Sequence, residues 1–343
     1  MKYLLSILVP TFNRDKYLNR LLAELSRQII ESGTFEIVEV VIADNDSSDN
    51  TGSIIDSYLS GNKNFSCIRH SSNIGAECNL MSLLERASSK FLWFIGDDDL
   101  PVEGLIMHVV SQLKVISPSL LYLPSLWAPD VSSIHLGQPQ DISFTHFDPL
   151  QAAKNLHIWS TFISSWIFNA EQAFSSPSVF RQLVSLKGTN LPQLGWILPL
   201  LVQSQSQVLV ANSPCILATS CNSGGYSVLS TFMIDYPKVV NGYTKNAPSI
   251  RSALVGNSLK SYLPGLIVSF RRGQGFKDAG DSAGVFSTSV KLLWHYPCYW
   301  IFCVPAFFSP LGLIRGLAFI IKKARFFTKN LPLPAGNNQF ESR

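Results

Sequence analysis

Phe91-Leu92-Trp93-Phe94-Ile95-Gly96-Asp97-Asp98-Asp99-Leu100-Pro101 sets three consecutive carboxylates one glycine beyond five apolar residues. The apolar run reads as a buried strand, so the acids are delivered by a strand end. Adjacent carboxylates repel, and holding them at the tip of a buried strand is costly unless a cation or a set of donors neutralises them. Mg²⁺ or Mn²⁺ suits that need. Mg²⁺ takes one or two carboxylates and fills its other positions with water and phosphate oxygens, which points to a phosphate-bearing substrate. The bland alternative is a solvated acidic turn capping a helix that follows at Pro101.

Upstream, the same pattern repeats. Leu4-Leu5-Ser6-Ile7-Leu8-Val9 is an apolar run stopped by Pro10 and followed by Thr11-Phe12-Asn13-Arg14. From Tyr17 to Ile30, Leu18, Leu21, Leu22 and Leu25 recur at helical spacing. Ile37 to Ala43 reads as a second strand running into Asp44-Asn45-Asp46-Ser47-Ser48-Asp49, with a helix over residues 51–59. Ser66 to His70 is a third, leading to Asn73-Ile74-Gly75 and a helix from Glu77 to Ala87. Alternating strands and helices predict an α/β fold with a mostly parallel sheet flanked by helices, binding ligands at the carboxyl ends of its strands. Every polar cluster lies on that edge.

Val9-Pro10-Thr11-Phe12-Asn13-Arg14, the Asp44 to Thr51 segment, Asn73-Ile74-Gly75 and Gly96-Asp97-Asp98-Asp99, in that order, resemble the family 2 glycosyltransferases of GT-A fold. The likeness covers roughly the first 105 residues. The Gly-Asp-Asp-Asp form and Asn222-Ser223-Gly224-Gly225-Tyr226 are similar to the abequosyltransferase-like enzymes of bacterial O-antigen synthesis. The resemblance implies a transferase moving a sugar, a dideoxyhexose such as abequose among them, from a nucleotide-sugar donor to a lipid-linked saccharide acceptor. It implies that Pro10, Thr11, Asn13, Asp44, Asp46, Asn73 and Gly75 line the nucleotide pocket, with Asp44 accepting from the base. Asp97 and Asp98 would join that pocket, with one carboxylate of the triplet on ribose or metal and another on a Mg²⁺ or Mn²⁺ bridging the diphosphate.

This chain departs from the commoner Asp-x-Asp-Asp pattern, because Gly96 stands where the first aspartate would be. Asp97 with Asp99, or Asp98 with Asp99, could be the working metal pair. Alternate residues of an extended segment point the same way, which favours Asp97 and Asp99. An inverting transfer also needs a general base. In inverting relatives it is an acid well after the metal motif, yet no Asp or Glu occurs between Glu171 and Asp235, and Leu191-Pro192-Gln193-Leu194-Gly195-Trp196 carries an amide there. Asp148 and Asp235 are the first catalytic candidates, with Asp141, Glu171 and His157 behind them. A retaining transfer that uses the diphosphate as base is the alternative.

Composition narrows the rest. In 343 residues, 46% are hydrophobic and 15% charged. Six cysteines include no Cys-x-x-Cys pair, so they read as packed thiols rather than a zinc site. Dinucleotide redox chemistry is disfavoured because no Gly-x-Gly-x-x-Gly follows the first strand. Of the net charge of +4, residues 291–343 carry +6 and residues 1–290 carry −2. That tail opens with Leu292 to Ile314, which lacks any Asp, Glu, Lys or Arg, and continues through Arg315, Lys322, Lys323, Arg325 and Lys329.

Apolar and basic residues side by side suit a segment lying in a membrane interface. Pro297, Pro305 and Pro310 disfavour a straight span. A buried helical hairpin of the domain is the plain alternative. No recognition motif supports nucleic-acid binding. Met1 leads straight into the first strand, so the expected location is cytoplasmic, peripheral or monotopic on the inner face of the membrane. The expected organisation is a nucleotide-sugar half at 1–105, an acceptor half at 106–230, a helical linker at 231–290 and the tail at 291–343. Trp127, Trp159, Trp166 and Trp196 are candidate sugar contacts, each with core packing as the simpler role, and Arg271-Arg272-Gly273-Gln274-Gly275 could bring cations to a lipid diphosphate. Two other functions stay open: a nucleotidyltransferase making sugar nucleotides, and a non-catalytic membrane-bound assembly partner.

Overall fold

The computed structural model describes residues 3–129, 131, 142–175, 185–203, 205–220, 226–273 and 282–311. Strands β1 (Leu5–Thr11), β2 (Val38–Asp44), β3 (Phe65–Arg69) and β4 (Phe91–Phe94) alternate with helices α1 (Asp15–Glu31), α2 (Thr51–Gly61) and α3 (Ala76–Arg86). Then come β5 (Leu100–Pro101), α4 (Leu105–Val115), β6 (Leu120–Tyr122), β7 (Ser125–Ala128), β8 (Phe144–Phe147), α5 (Pro149–Leu156), β9 (Trp166–Asn169), β10 (Val208–Ala211) and β11 (Ile216–Thr219). The main sheet has the order β3-β2-β1-β4-β9-β6-β10-β8, and β5, β11 and β7 form a smaller one.

Period-two alternation places successive side chains on opposite faces. In β1, Leu5, Ile7 and Val9 join the core beneath α1 and α4, while Leu8 joins the other core with Leu83 of α3. α1 buries Leu18, Leu21, Leu22 and Leu25 as its spacing predicts. Gln28 ties α1 to α4: its Nε2 donates to the Val102 carbonyl (2.9 Å) and its Oε1 accepts from the Ile106 N–H (3.1 Å).

Two parallel registers set the functional edge. Leu8 lies opposite Phe94 and opposite Val41, and Thr11 opposite Asp44. Three residues past Phe94 is Asp97, so Thr11, Asp44 and Asp97 come level at the carboxyl ends of neighbouring strands. The sheet runs straight across residues 105 and 106, because β4 pairs antiparallel with β9 and β9 antiparallel with β6.

The described residues from 231 to 311 are mainly helical: α8 (Tyr236–Tyr243), α9 (Pro248–Ser261), α10 (Leu263–Arg271), α11 (Ser282–Leu293) and α12 (Val304–Phe308), with α6 (Ala170–Ala173) and α7 (Leu194–Leu201) earlier. Leu254, Leu266, Leu293, Tyr299, Cys303 and Phe307 enter the same core as the sheet's lower face. The stretch beginning at Leu292 therefore packs on the domain with one side as far as Phe308. Among the described residues no helix is long and apolar enough to cross a membrane, and the basic run from Arg315 onward lies outside them.

Candidate active site

The triplet occupies a turn. Asp99 N–H donates to the Gly96 carbonyl (3.1 Å), so Asp97 and Asp99 are not alternate residues of an extended segment, and the reason for pairing those two falls away. Nor does the triplet cap a helix at Pro101. Leu100–Pro101 is strand β5, and α4 starts at Leu105 after Gly104, whose φ of +74° suits a glycine.

Each carboxylate is held by residues distant in sequence. Thr11 Oγ1 donates to Asp97 Oδ2 at 2.7 Å. Ser164 Oγ donates to Asp99 Oδ2 at 2.6 Å and accepts from the Gly96 N–H at 2.9 Å. Thr219 contributes its N–H to Asp99 Oδ1 (3.4 Å) and its hydroxyl to the Asp98 carbonyl (2.9 Å). Arg14 approaches Asp98 at 3.8 Å. Sheet pairing explains these arrivals. β9 runs back along β4, setting Ser164 beside Gly96, and β11 pairs Leu217 with Leu100, setting Thr219 beside Asp98.

Burial, reinforced by the Asp98 charge, pushes Asp97 up to about 7. Asp99 is shifted the same way for the same two reasons, and is only 4% exposed. A Cβ on Gly96 would sit 3.0 Å from both Asp98 Oδ1 and Asp99 Oδ2. Two carboxylate oxygens thus converge above a position kept clear by the absence of a side chain, which accounts for glycine where an aspartate is commoner. Hard oxygen donors, close together and short of positive charge, fit a divalent cation, with Asp98 lying between the other two acids. Among the described residues no group of three or more His, Cys, Asp or Glu is arranged to enclose a metal by itself. An open set of this kind suits an ion that shares its shell with substrate phosphate.

The strand-end loops are tied together on the adjoining edge. Asp44 is buried and its Oδ1 accepts from the Ser47 N–H (3.1 Å). Asn13, at φ +52°, donates its N–H to Ser47 Oγ (2.9 Å) and accepts the Ser48 N–H at Oδ1 (2.8 Å). Asp46, at φ +68°, is exposed on the same loop. Asn45 ties the third loop in: its Nδ2 donates to Asn73 Oδ1 (3.0 Å) and its Oδ1 accepts from the Ile74 N–H (2.9 Å). Asn73 Oδ1 also accepts from the Gly75 N–H (2.9 Å). Pro10 lies opposite Ala43 in the register that aligns these loops.

The proposed bases lie in other settings. Asp148 caps α5 in a reciprocal box with Gln151 (2.8 Å and 3.1 Å). Asp235 precedes α8, 3.9 Å from Lys238, and burial raises its pKa. Glu171 is exposed in the first turn of α6, and Asp141 lies outside the described residues. Gln193 is buried and donates Nε2 to the Thr161 carbonyl at 2.5 Å. Trp196 stacks on Phe94 (5.3 Å) and Phe168 (5.5 Å), and Trp166 meets Tyr122 edge-on (4.9 Å), so both are core residues. Trp159 meets Tyr262, and half-buried Trp127 meets Phe162. Arg271 donates from one guanidinium nitrogen to the Ala306 and Ser309 carbonyls (both 2.8 Å), closing the end of α12. Asn222, Ser223, Gly224, Gly225, Gln274 and Gly275 lie outside the described residues.

Ser164, Thr219, Asn45 and Glu77 were not legible as site residues. Glu77 Oε2 accepts from the Gly188 N–H (2.7 Å) and its Oε1 from the Asn190 N–H (2.9 Å), pinning the approach to α7. Only Asn45 carried a signal, its place inside the Asp44 to Asp49 cluster.

This arrangement of sheet, strand-end loops and acidic turn is that of a GT-A-like glycosyltransferase domain. Residues 6–122, about a third of the chain, match the family model Glycosyl transferase family 2. It is 37% identical over 98 residues to abequosyltransferase RfbV of Salmonella typhimurium, covering 28% of each chain. It is 28% identical over 109 residues to the GalNAc(5)-diNAcBac-PP-undecaprenol beta-1,3-glucosyltransferase of Campylobacter jejuni, covering 32% of this chain and 34% of that one. The matches thus span about a third of the length of these relatives. In fold, the chain is similar to S. aureus TarS 1-349 in complex with UDP-GlcNAc, with a TM-score of 0.57 at 16% identity over 86% of this chain and 82% of that one.

Proposed function

We propose that this protein transfers a sugar from a nucleotide-diphosphate donor to a lipid-linked saccharide, as a metal-dependent glycosyltransferase of bacterial surface polysaccharide synthesis. The observation that carries this reading is the acidic turn. Three carboxylates, Asp99 buried and Asp97 and Asp98 half-buried, meet at the carboxyl ends of the parallel strands beside Thr11, Asn13, Asp44 and Asn73, which would line a nucleotide pocket. Such a pocket suits a nucleoside, and the turn suits its diphosphate. The likeness to RfbV supports a dideoxyhexose such as abequose as the first donor sugar to test, and the Campylobacter relative supports an acceptor carried on a polyprenyl diphosphate.

Asp98 and Asp99, with Asp97 beside them, would hold Mg²⁺ or Mn²⁺. Bound there, the ion supplies Lewis-acid stabilisation of the leaving diphosphate. Thr11 fixes Asp97, and Ser164 and Thr219 fix Asp99, so the oxygens are preorganised before substrate arrives. Asp44 accepts from the base. Of the two acids offered for deprotonating the acceptor hydroxyl, Asp148 is engaged as a helix cap and Asp235 lies beside Lys238, so neither is assigned as the base.

A thermal-shift panel of CDP, UDP, GDP and dTDP with and without Mn²⁺, on wild type and Asp99→Asn, tests the reading. Ligands that bind the folded state raise its melting temperature by mass action. A metal-dependent shift for one nucleotide, lost in the variant, is expected. No shift with any nucleotide on folded protein would instead favour the non-catalytic partner. Release of pyrophosphate rather than nucleoside diphosphate during turnover would point to a nucleotidyltransferase.

A further inference from the structure

We infer that the outer side of the α11–α12 region is a docking face for an anionic lipid bilayer. The inference deepens the reading of a lipid-linked acceptor and rests on that reading for its biological purpose, but it concerns a surface separate from the acidic turn.

Within fifteen residues, Trp294, Ile301, Phe308 and Trp300 are 64%, 63%, 63% and 47% exposed. They are not strays from a loosely packed segment. Leu293, Tyr299, Cys303 and Phe307 of the same stretch are buried, and Tyr299 shares a buried hydroxyl contact with Ser289 (2.8 Å). The indole Nε1 of Trp300 donates to the Trp294 carbonyl at 2.8 Å, so the two tryptophans are neighbours on one outer surface. Phe308 packs against Phe286 at 4.7 Å, extending that surface towards α11. The inner side is thus fixed to the domain while large apolar side chains are exposed close together along the outer side, and such a concentration of exposed apolar residues marks an interaction site.

Charge selects the occupant. Among the described residues from 236 to 311 there are seven Lys or Arg and no Asp or Glu. Lys291 and Lys260 are exposed beside the apolar face, and Lys260 is close enough to Cys298 to act on its thiol electrostatically. A protein partner of ordinary composition would not call for so one-sided a field. Anionic headgroups do, and exposed tryptophans prefer the boundary between headgroup and acyl chain. The apolar residues would enter that boundary while the lysines meet the headgroups.

The test is co-sedimentation of the full chain with large unilamellar vesicles of phosphatidylcholine alone, or mixed with phosphatidylglycerol, at low and high salt. Wild type should bind the mixed vesicles and be released by salt. The triple variant Trp294→Ser, Ile301→Ser, Phe308→Ser should bind them at least about tenfold more weakly, from the apolar area it withdraws. Bromine-labelled lipid should quench wild-type tryptophan fluorescence, and Trp294→Phe with Trp300→Phe should lose most of that quenching. Equal binding by wild type and the triple variant, quenching that survives the double variant, or no vesicle binding at all would overturn the inference. So would a wild-type dimer that the triple variant makes monomeric, because a second copy would then cover the face. The nucleotide thermal shift, run on the same variants, separates this outcome from failure of the transferase reading.

Discussion

Thr11 and Asp97, 86 residues apart, are joined by a 2.7 Å hydrogen bond because parallel pairing of β1 with β4 brings their strand ends level. The hydroxyl is the donor and the carboxylate the acceptor, so the bond favours the charged form of an acid that burial pushes the other way. Thr11→Val keeps the shape and removes the donor. Hydrogen bonds to charged groups contribute about 1.5–3 kcal/mol. The variant should lose transfer activity by about tenfold or more while melting within a few degrees of wild type, as a steady-state assay beside calorimetry would show.

Ser164 both donates to Asp99 and accepts from the Gly96 backbone. Ser164→Ala takes a partner from the buried Asp99 carboxylate, at roughly 1–3 kcal/mol, and from the part-buried Gly96 N–H. Denaturant titration should therefore show a lower midpoint, and transferase activity should fall further than for Thr11→Val. An unchanged midpoint would mean that water replaces the hydroxyl without cost.

Gly96→Ala places a methyl 3.0 Å from two carboxylate oxygens that the site needs. The oxygens must shift by a few tenths of an ångström, against the bonds from Ser164 and Thr219. We expect a large loss of Mn²⁺-dependent nucleotide binding by calorimetric titration with little loss of stability. Gly96→Asp, which restores the commoner sequence pattern, should behave no better.

His157 gives the fold a pH dependence. Burial alone pushes its pKa from 6.5 down to about 4, and its Nδ1 is buried without a hydrogen-bond partner. The folded state therefore prefers the neutral ring. Its contribution is complete above about pH 6.5, where the unfolded chain is also neutral, and is lost as pH falls from there towards 4. The slope cannot exceed about 1.4 kcal/mol per pH unit for one proton. His157→Gln should melt at a temperature that depends less on pH across that window, as scanning calorimetry from pH 4 to pH 7 would record.

Glu77 clamps two backbone N–H groups of the segment leading to α7. Glu77→Gln weakens one charge-assisted bond and disturbs the other, and Glu77→Ala removes both. Hydrogen exchange at Gly188 and Asn190 should rise in both variants, more in the second, while exchange in β1 and β2 stays unchanged. Faster exchange throughout the domain would instead make Glu77 a general stability residue.

How much of this was legible before the structure differs from element to element. The α1 leucines, the apolar run of β1 and the polar residues just beyond each strand are local patterns, and period and punctuation suffice to read them. The edge on which the polar loops gather was legible for the same reason: in an α/β fold, residues just past parallel strands must share one edge. The triplet's backbone was not. An extended segment and a turn differ in the backbone dihedrals of the central residues, here those of the turn closed by the Asp99 N–H on the Gly96 carbonyl, and nothing in Asp-Asp-Asp chooses between them. The tryptophans were equally ambiguous, since Trp196 in the core and Trp300 on the surface are written with the same letter.

Residues near one another along the chain were enough to read the order of the first four strands and three helices, the edge where polar chemistry gathers and the basic, aromatic character of the C-terminal part. Only the tertiary structure decided which partners hold the carboxylates, why glycine stands at position 96, and which side of the C-terminal helices faces outward. Ser164 lies 65 residues from Asp99, and Thr219 lies 120. Their meeting is fixed by strand pairing, whose energy is spread over the whole sheet and leaves no mark beside either residue.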